Sequence, residues 1–415
     1  MNYCFTNVSL GTVSGPEYHD VIYVKDGVWV KTVLDDCTII DCSDLVLYPQ
    51  LTEIHADFKQ PGHDHIYSLV DGVEAMQRGG YNKVLLDPNC NPIVDERAWV
   101  EWVKAQTQTL DGDILISSAI SKGLANCILT EYLEMEKVGA TALSNSLQYT
   151  PESSFLKSVF SYSTQSSLRI HIMPQEKDLA GNALIHEGEL SDRYGLYGVP
   201  LEAETIAVFR ILELAKSTGA KIHLKHLTVP KSIELVQEYK NIDVDVTCDV
   251  SINNLVFSEA DLEGLPPKLH LKPILRNKAN AIIVKQLVEA GTVDAISCQH
   301  IPVLPEDKNS FFEGSESGCV GLEVGFSVAK TFLNLNDEKL IALMSDGPNK
   351  ILGQAKVVLA PGQKFLTFAY HTHEFIPHTD DFAGLVSNSP FLGEKLAGKI
   401  VGLLSKGHWK NFRSH

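Results

Sequence analysis

A chain of 415 residues with 44% hydrophobic content is long enough for a large buried core plus one smaller module. Its formal net charge of −17, from 35 Lys and Arg against 52 Asp and Glu, disfavours nucleic acid and anionic membrane surfaces as partners. No apolar run approaches a membrane span, and Met1-Asn2-Tyr3-Cys4-Phe5 lacks a basic segment leading into an apolar one, so a cytoplasmic protein is expected. The eight cysteines (4, 37, 42, 90, 127, 248, 298 and 319) contain no C-x-x-C pair, which points to free thiols and not to a disulfide framework or zinc ribbon.

Residues 1–50 read as short strands: Val21-Ile22-Tyr23-Val24, Val28-Trp29-Val30 and Thr38-Ile39-Ile40, with a turn signal at Lys25-Asp26-Gly27. From 51 to 349 strand and helix patterns alternate. Strand candidates are Val84-Leu85-Leu86, Ile114-Leu115-Ile116, Ile170-His171-Ile172, Lys221-Ile222-His223-Leu224, Val244-Asp245-Val246 and Ala295-Ile296. Amphipathic helices are expected over 201–218 and 277–290, where apolar residues recur at three- and four-residue spacing. This alternation predicts an α/β fold, a (β/α)8 TIM-like barrel. After 350 the text returns to strands at 355–359, 364–368 and 399–404, so 1–50 and 350–415 are expected to join in one small β-sandwich.

The apolar run Leu45-Val46-Leu47-Tyr48-Pro49 leads into Glu53-Ile54-His55-Ala56-Asp57-Phe58-Lys59-Gln60-Pro61-Gly62, placing His55 and Asp57 on one face at a strand end. That stretch resembles the start of a dihydroorotase of the amidohydrolase superfamily, which usually reads D-x-H-x-H-x-R-x-P-G. Further likenesses follow in order. Asp87-Pro88-Asn89-Cys90-Asn91-Pro92 is similar to the substrate loop "MPNTNP". His186-Glu187-Gly188-Glu189, Gly198 to Glu204, His223-Leu224-Lys225-His226-Leu227-Thr228, Gly291 to Ile296 and Asn388 to Gly393 match family stretches. Each is weak alone; their order and spacing are specific.

In active members, His and carboxylate ligands at strand ends hold metal ions, usually zinc, that lower the pKa of a bound water. An Asp at the end of the last barrel strand shuttles the proton. The resemblance implies that this site is altered here. His55 and His226 stand at ligand positions, Asp57 replaces a His, and Pro174 stands at a lost His ligand position. Where the family has an acidic bridging ligand or a carboxylated Lys, the nearest polar residues are Asn145 and Ser146. The catalytic Asp becomes Gln299, an amide that does not titrate near neutrality. On the substrate side an Arg becomes Lys59 and loses its bidentate fork, the closing His of the "TDHAPH" motif becomes Val303, and the Asn of "NPPLR" becomes Lys272, while Asn89 is kept.

The resemblance therefore implies a catalytically inactive homologue, of the kind that assembles with aspartate carbamoyltransferase as a structural or regulatory subunit in pyrimidine biosynthesis. On that reading the chain forms homo- and hetero-oligomers and needs no cofactor. The alternative is a divergent metal-dependent cyclic amidohydrolase with a residual zinc held by His55, Asp57 and His226, with Glu176 as a further candidate ligand. His223, three residues from His226, is expected on the opposite strand face as a structural histidine. His63-Asp64-His65 reads as a solvated loop. Cys298 and His300 share a strand face, which leaves a nucleophile pair open, although no acid partner is visible.

Overall fold

The computed structural model describes residues 1–12 and 15–412. Its centre is an eight-stranded parallel sheet rolled into a nearly closed barrel. The strands are β1 (Leu51–Ala56), β2 (Tyr81–Leu86), β3 (Asp113–Ala119), β4 (Ala140–Ser144), β5 (Arg169–Ile172), β6 (Ile222–Leu224), β7 (Val246–Ser251) and β8 (Ala295–Ser297). Closure comes just beyond β8, where Ala56 bridges His300 and the Asp57 N–H donates to the His300 carbonyl at 2.9 Å. β1 and β7 are buried at every residue, as expected for strands covered on both faces.

Helices between the strands supply that cover. The first, α1 (Leu69–Arg78), starts at Ser68, whose hydroxyl accepts from the Asp71 N–H while the Asp71 carboxylate accepts from the Ser68 N–H. It buries Leu69, Val73 and Met76, one helical stripe, against the barrel core. The helices expected over 201–218 and 277–290 appear as Glu202–Thr218 and Lys278–Glu289.

Both termini meet in one mixed sheet. In order it runs His408–Asn411, Lys399–Ser405, Thr367–His371, Leu45–Pro49, Asn2–Thr12, Gly15–Lys25 and Val28–Val30, with Thr38–Asp41 also paired to Asn2–Thr12. It has a core of its own around Phe5, Leu10, Ile22, Leu47, Phe365 and Leu404. The segment 355–359 is not one of its strands. The chain first passes the 27–29 hairpin, where Phe365 N–H donates to the Gly27 carbonyl and Trp29 N–H to the Gln363 carbonyl, and joins the sheet only at Thr367.

One cysteine expectation is corrected. Cys4 and Cys37 form a disulfide, because the parallel pairing of Cys4 with Ile39 brings Cys37 to a Cα–Cα distance of 5.8 Å. Cys90, Cys127, Cys248, Cys298 and Cys319 are free thiols. No helix among the described residues is long and apolar enough to cross a membrane.

Candidate functional site

The C-terminal ends of the barrel strands carry two buried polar networks. In the first, the His55 Nδ1 lies 3.3 Å from the Asp87 Oδ2, and the Lys225 ammonium lies 3.5 Å from that same oxygen. Lys225 Nζ also donates to Ser144 Oγ at 3.1 Å, tying together the ends of β1, β2, β4 and β6. Beside this group, Lys59 Nζ is 2.7 Å from Asp57 Oδ2, and the Lys59 N–H donates to the other carboxylate oxygen at 3.0 Å. Both oxygens of Asp57 are thus engaged by Lys59.

The second network is built on Asp249 of β7. Its Oδ1 accepts from the His226 N–H at 2.8 Å and lies 3.1 Å from His223 Nε2. Its Oδ2 lies 2.8 Å from His226 Nδ1 and accepts from the Ser297 hydroxyl at 2.6 Å. The carboxylate keeps the proton of His226 on Nδ1 and leaves the Nε2 lone pair free, and Nε2 is buried without a hydrogen-bond partner among the described residues. The rings of His55 and His226 meet edge to face at 4.9 Å, joining the two networks.

Burial dominates the electrostatics. It pushes His55 and His171 well below the ordinary imidazole range, and the nearby Lys225 ammonium adds to the effect. Burial also lowers Lys225, with Asp87 opposing, and raises Asp57 against the pull of Lys59. Asp249 is different: burial opposes ionisation, yet the His226 and His223 imidazoles hold its carboxyl well below the usual range. Deeper in β1, burial raises Glu53 to about 8 despite the N–H groups of Ile54, His55 and Cys298 that its carboxylate accepts.

His223 and His226 do not stand on opposite faces, as strand alternation predicts. β6 ends at Leu224 and His226 adopts a left-handed backbone (φ 54°), so both rings converge on Asp249. Lys59 (φ 58°) and Gln299 (φ 52°) share this conformation, which costs a non-glycine residue roughly 1–3 kcal/mol. The Pro61-Gly62 turn docks onto the 87–92 loop: Asn91 N–H donates to the Pro61 carbonyl, and a Cβ on Gly62 (φ +91°) would fall 1.9 Å from the Asn91 carbonyl oxygen.

A scan of known families matches residues 44–232 to the model described as "Dihydro-orotase-like". The dihydroorotase of Carboxydothermus hydrogenoformans is 31% identical over 379 residues, covering 90% of this chain and 88% of the relative. That of a Thermoanaerobacter species is 29% identical over 383 residues, covering 91% and 89%. The chain belongs to the dihydroorotase-like family. Its fold is also that of L-hydantoinase (dihydropyrimidinase) from Arthrobacter aurescens, with a TM-score of 0.85 at 19% identity over 98% of this chain and 95% of that one.

Within that family fold, the remaining site positions are distributed as follows. Gln299 is buried and its amide donates to the Lys272 carbonyl; the Lys272 ammonium lies over the Tyr149 ring, 5.2 Å from its centre. Met173 and Pro174 follow β5, and neither side chain carries a nitrogen or oxygen ligand. Asn145 staples loops: its amide donates to the Gln148 carbonyl and its oxygen accepts from the Met173 N–H. Ser146 directly follows Asn145, its N–H donating to Ser144 Oγ. The Val303 N–H donates to the Asn388 side chain. Glu176 forms an ion pair with Arg210 at 2.7 Å, lining a groove of about 860 Å³ beside the barrel mouth. Asn89 is exposed. His63 and His65 are 6.4 Å apart, ring centre to ring centre. Cys298 is no activated nucleophile: burial pushes its thiol well up, and its sulfur lies 2.9 Å from the Tyr81 hydroxyl, while His300 Nδ1 accepts the Gly321 N–H.

Four residues central to this geometry escape motif reading: Asp87, Lys225, Asp249 and Ser297. Asp87 and Lys225 lie inside matched stretches that assign them no role, and Asp249 and Ser297 lie in strand text that says nothing of their partners.

The residues present do not fit the family's metal centre. Asp57 is committed to Lys59, a lysine ammonium lies among His55, Asp87 and Ser144, and among the described residues no three His, Cys, Asp or Glu side chains converge on one point.

Proposed function

We propose that this chain is a catalytically inactive dihydroorotase homologue that acts in the cytoplasm as a structural or regulatory subunit for aspartate carbamoyltransferase, in homo- and hetero-oligomers. The observation that carries the inactive reading is the internal neutralisation of the strand-end carboxylates, Asp57 by Lys59 and Asp87 by Lys225. A carboxylate already matched by a buried cation is a poor metal ligand, because an incoming dication meets like charge. Gln299 supports the same conclusion, since an amide bound to a carbonyl neither titrates nor shuttles protons. The partner rests on the family resemblance. The test is co-expression with the aspartate carbamoyltransferase of the same organism, followed by gel filtration and transcarbamoylase assay. Comigration with activity dependent on this chain is expected; separate migration with indifferent activity ends the proposal.

A second reading, a divergent metal-dependent cyclic amidohydrolase, has two supports. The relatives compared above carry the name dihydroorotase, and by name alone they favour this reading. In addition, His226 presents an unpartnered Nε2 with Asp249 behind it, the arrangement of a metal-ligating imidazole. Stoichiometric zinc together with dihydroorotate hydrolysis abolished by His226→Ala establishes this reading, and absence of both removes it.

A further inference from the structure

The Lys225 side chain is the least expected feature of the barrel mouth. Lysine is almost never fully buried unless paired, yet this one is 1% exposed at the end of a central strand. Its ammonium meets one carboxylate, Asp87 Oδ2 at 3.5 Å, and one hydroxyl, Ser144 Oγ at 3.1 Å. The same Asp87 oxygen faces the His55 ring at 3.3 Å. The space enclosed by His55, Asp87, Ser117, Ser144, His171 and Lys225 is too small to admit a water molecule. On its wall His171 is buried with both ring nitrogens lacking a hydrogen-bond partner among the described residues, its ring packed 4.6 Å from that of His223. Two imidazoles and a carboxylate line this filled space together with the Lys225 side chain, and one imidazole is unpartnered among the described residues.

We propose that the Lys225 ammonium is the resident cation of this site: it fills the space among His55, Asp87, Ser144 and His171, balances the Asp87 carboxylate, and so occupies the place of a divalent metal ion. This deepens the inactive reading and rests on it only in requiring that the native chain bind no metal there. The physical basis is charge and volume together. A buried carboxylate requires a countercharge, and a cation delivered by the chain is present as soon as the strands assemble. Ser144, neutral and hydrogen-bonded to the ammonium, stands at a strand end where an acidic group would add a second unpaired charge.

The test uses the full chain and three variants. Lys225→Met keeps the stem and removes the charge. It is expected to lower the melting temperature by several degrees, because Asp87 is left buried and unpaired. Lys225→Met combined with Asp87→Asn removes both charges and is expected to recover part of that loss in the presence of EDTA. Lys225→Ala opens the cavity. Added Co²⁺ is expected to raise the melting temperature of Lys225→Ala and produce the visible absorption of imidazole-ligated cobalt, with neither effect in the native chain. The proposal is overturned if Lys225→Met is as stable as the native chain, if the double variant is no more stable than Lys225→Met, or if Lys225→Ala shows no cobalt response. Those failures with a metal-free native chain leave the subunit reading standing. Stoichiometric zinc and hydrolysis in the native chain remove both.

Discussion

The two halves of the barrel mouth handle buried carboxylates in opposite ways. On the β1–β2 side, Asp57 and Asp87 are matched by full charges from Lys59 and Lys225. On the β6–β8 side, Asp249 has no lysine or arginine within ion-pair range among the described residues; it is satisfied by two imidazoles, a backbone N–H and the Ser297 hydroxyl. On the proposed reading, the first arrangement fills a metal site with the chain's own cations. The second keeps a histidine in ligand orientation, because the carboxylate that backs a metal-binding imidazole equally well anchors a structural one. Survival of His226 in its place is therefore weak evidence for metal, and the lysines opposite are strong evidence against it.

The largest expected effect strikes the imidazole half. Asp249→Ala strips partners from His223, His226 and Ser297 at once, all of them buried. Removing one member of a buried network usually costs about 3–5 kcal/mol. Urea unfolding followed by circular dichroism is expected to show a loss of that order with an unchanged m value. A loss under about 1 kcal/mol would mean that this half is not the structural anchor described here.

The acid limb of the stability profile probes both halves together. His55, His171, His223 and His300 are held below the ordinary imidazole pKa, first of all by burial, and His300 is pushed down to about 3. A depressed imidazole stabilises the fold above its unfolded pKa near 6.5, and that contribution is lost as pH falls toward the folded value. At about 1.4 kcal/mol per pKa unit, His300 alone accounts for a few kcal/mol between pH 6.5 and 3. Glu53, raised to about 8, acts in the other direction: stability declines as pH climbs from about 4.5 toward 8. The urea midpoint is thus expected to peak near pH 6 and fall on both sides, with Glu53→Gln flattening the alkaline limb. A midpoint that rises below pH 5 would mean that these imidazoles are charged in the fold.

How much of this was legible in the chain differs between fold and site. Strand runs such as Val84-Leu85-Leu86 and Ile170-His171-Ile172 stand out because a parallel barrel strand buried on both faces is a continuous apolar run. The edges are less distinct. Val244-Asp245-Val246 reads as a strand, but the ladder runs from Val246 to Ser251 through Thr247, Cys248 and Asp249, whose polar text hides it. In the site, His55, Asp57, Lys59, His226 and Gln299 are legible by motif. The pairing of Lys225 with Asp87 is not, because 138 residues separate them and they follow non-adjacent strands, β6 and β2, that face each other only once the sheet is rolled into a barrel. The His223–His226 convergence is hidden for another reason: one left-handed residue after a three-residue strand cancels the alternation from which a face is read.

The smallest expected effect is the most pointed. Gln299→Asp restores the residue type of the proton shuttle at one stroke, and if the site lacked only that group, hydrolysis would return. The geometry predicts that it does not. The Gln299 amide donates to the Lys272 carbonyl, so an aspartate there faces an oxygen dipole with no donor to offer and is pushed toward its neutral form. The lysine half is untouched by the change: Lys59 still engages Asp57 and Lys225 still faces Asp87. Dihydroorotate turnover by Gln299→Asp, assayed with added zinc, is expected to be indistinguishable from that of the native chain. Only a variant that also removes the two lysine charges changes both halves of the mouth. Measurable turnover by the single variant would show that the β1–β2 half still accepts a metal, and that the missing base was the whole of the deficit.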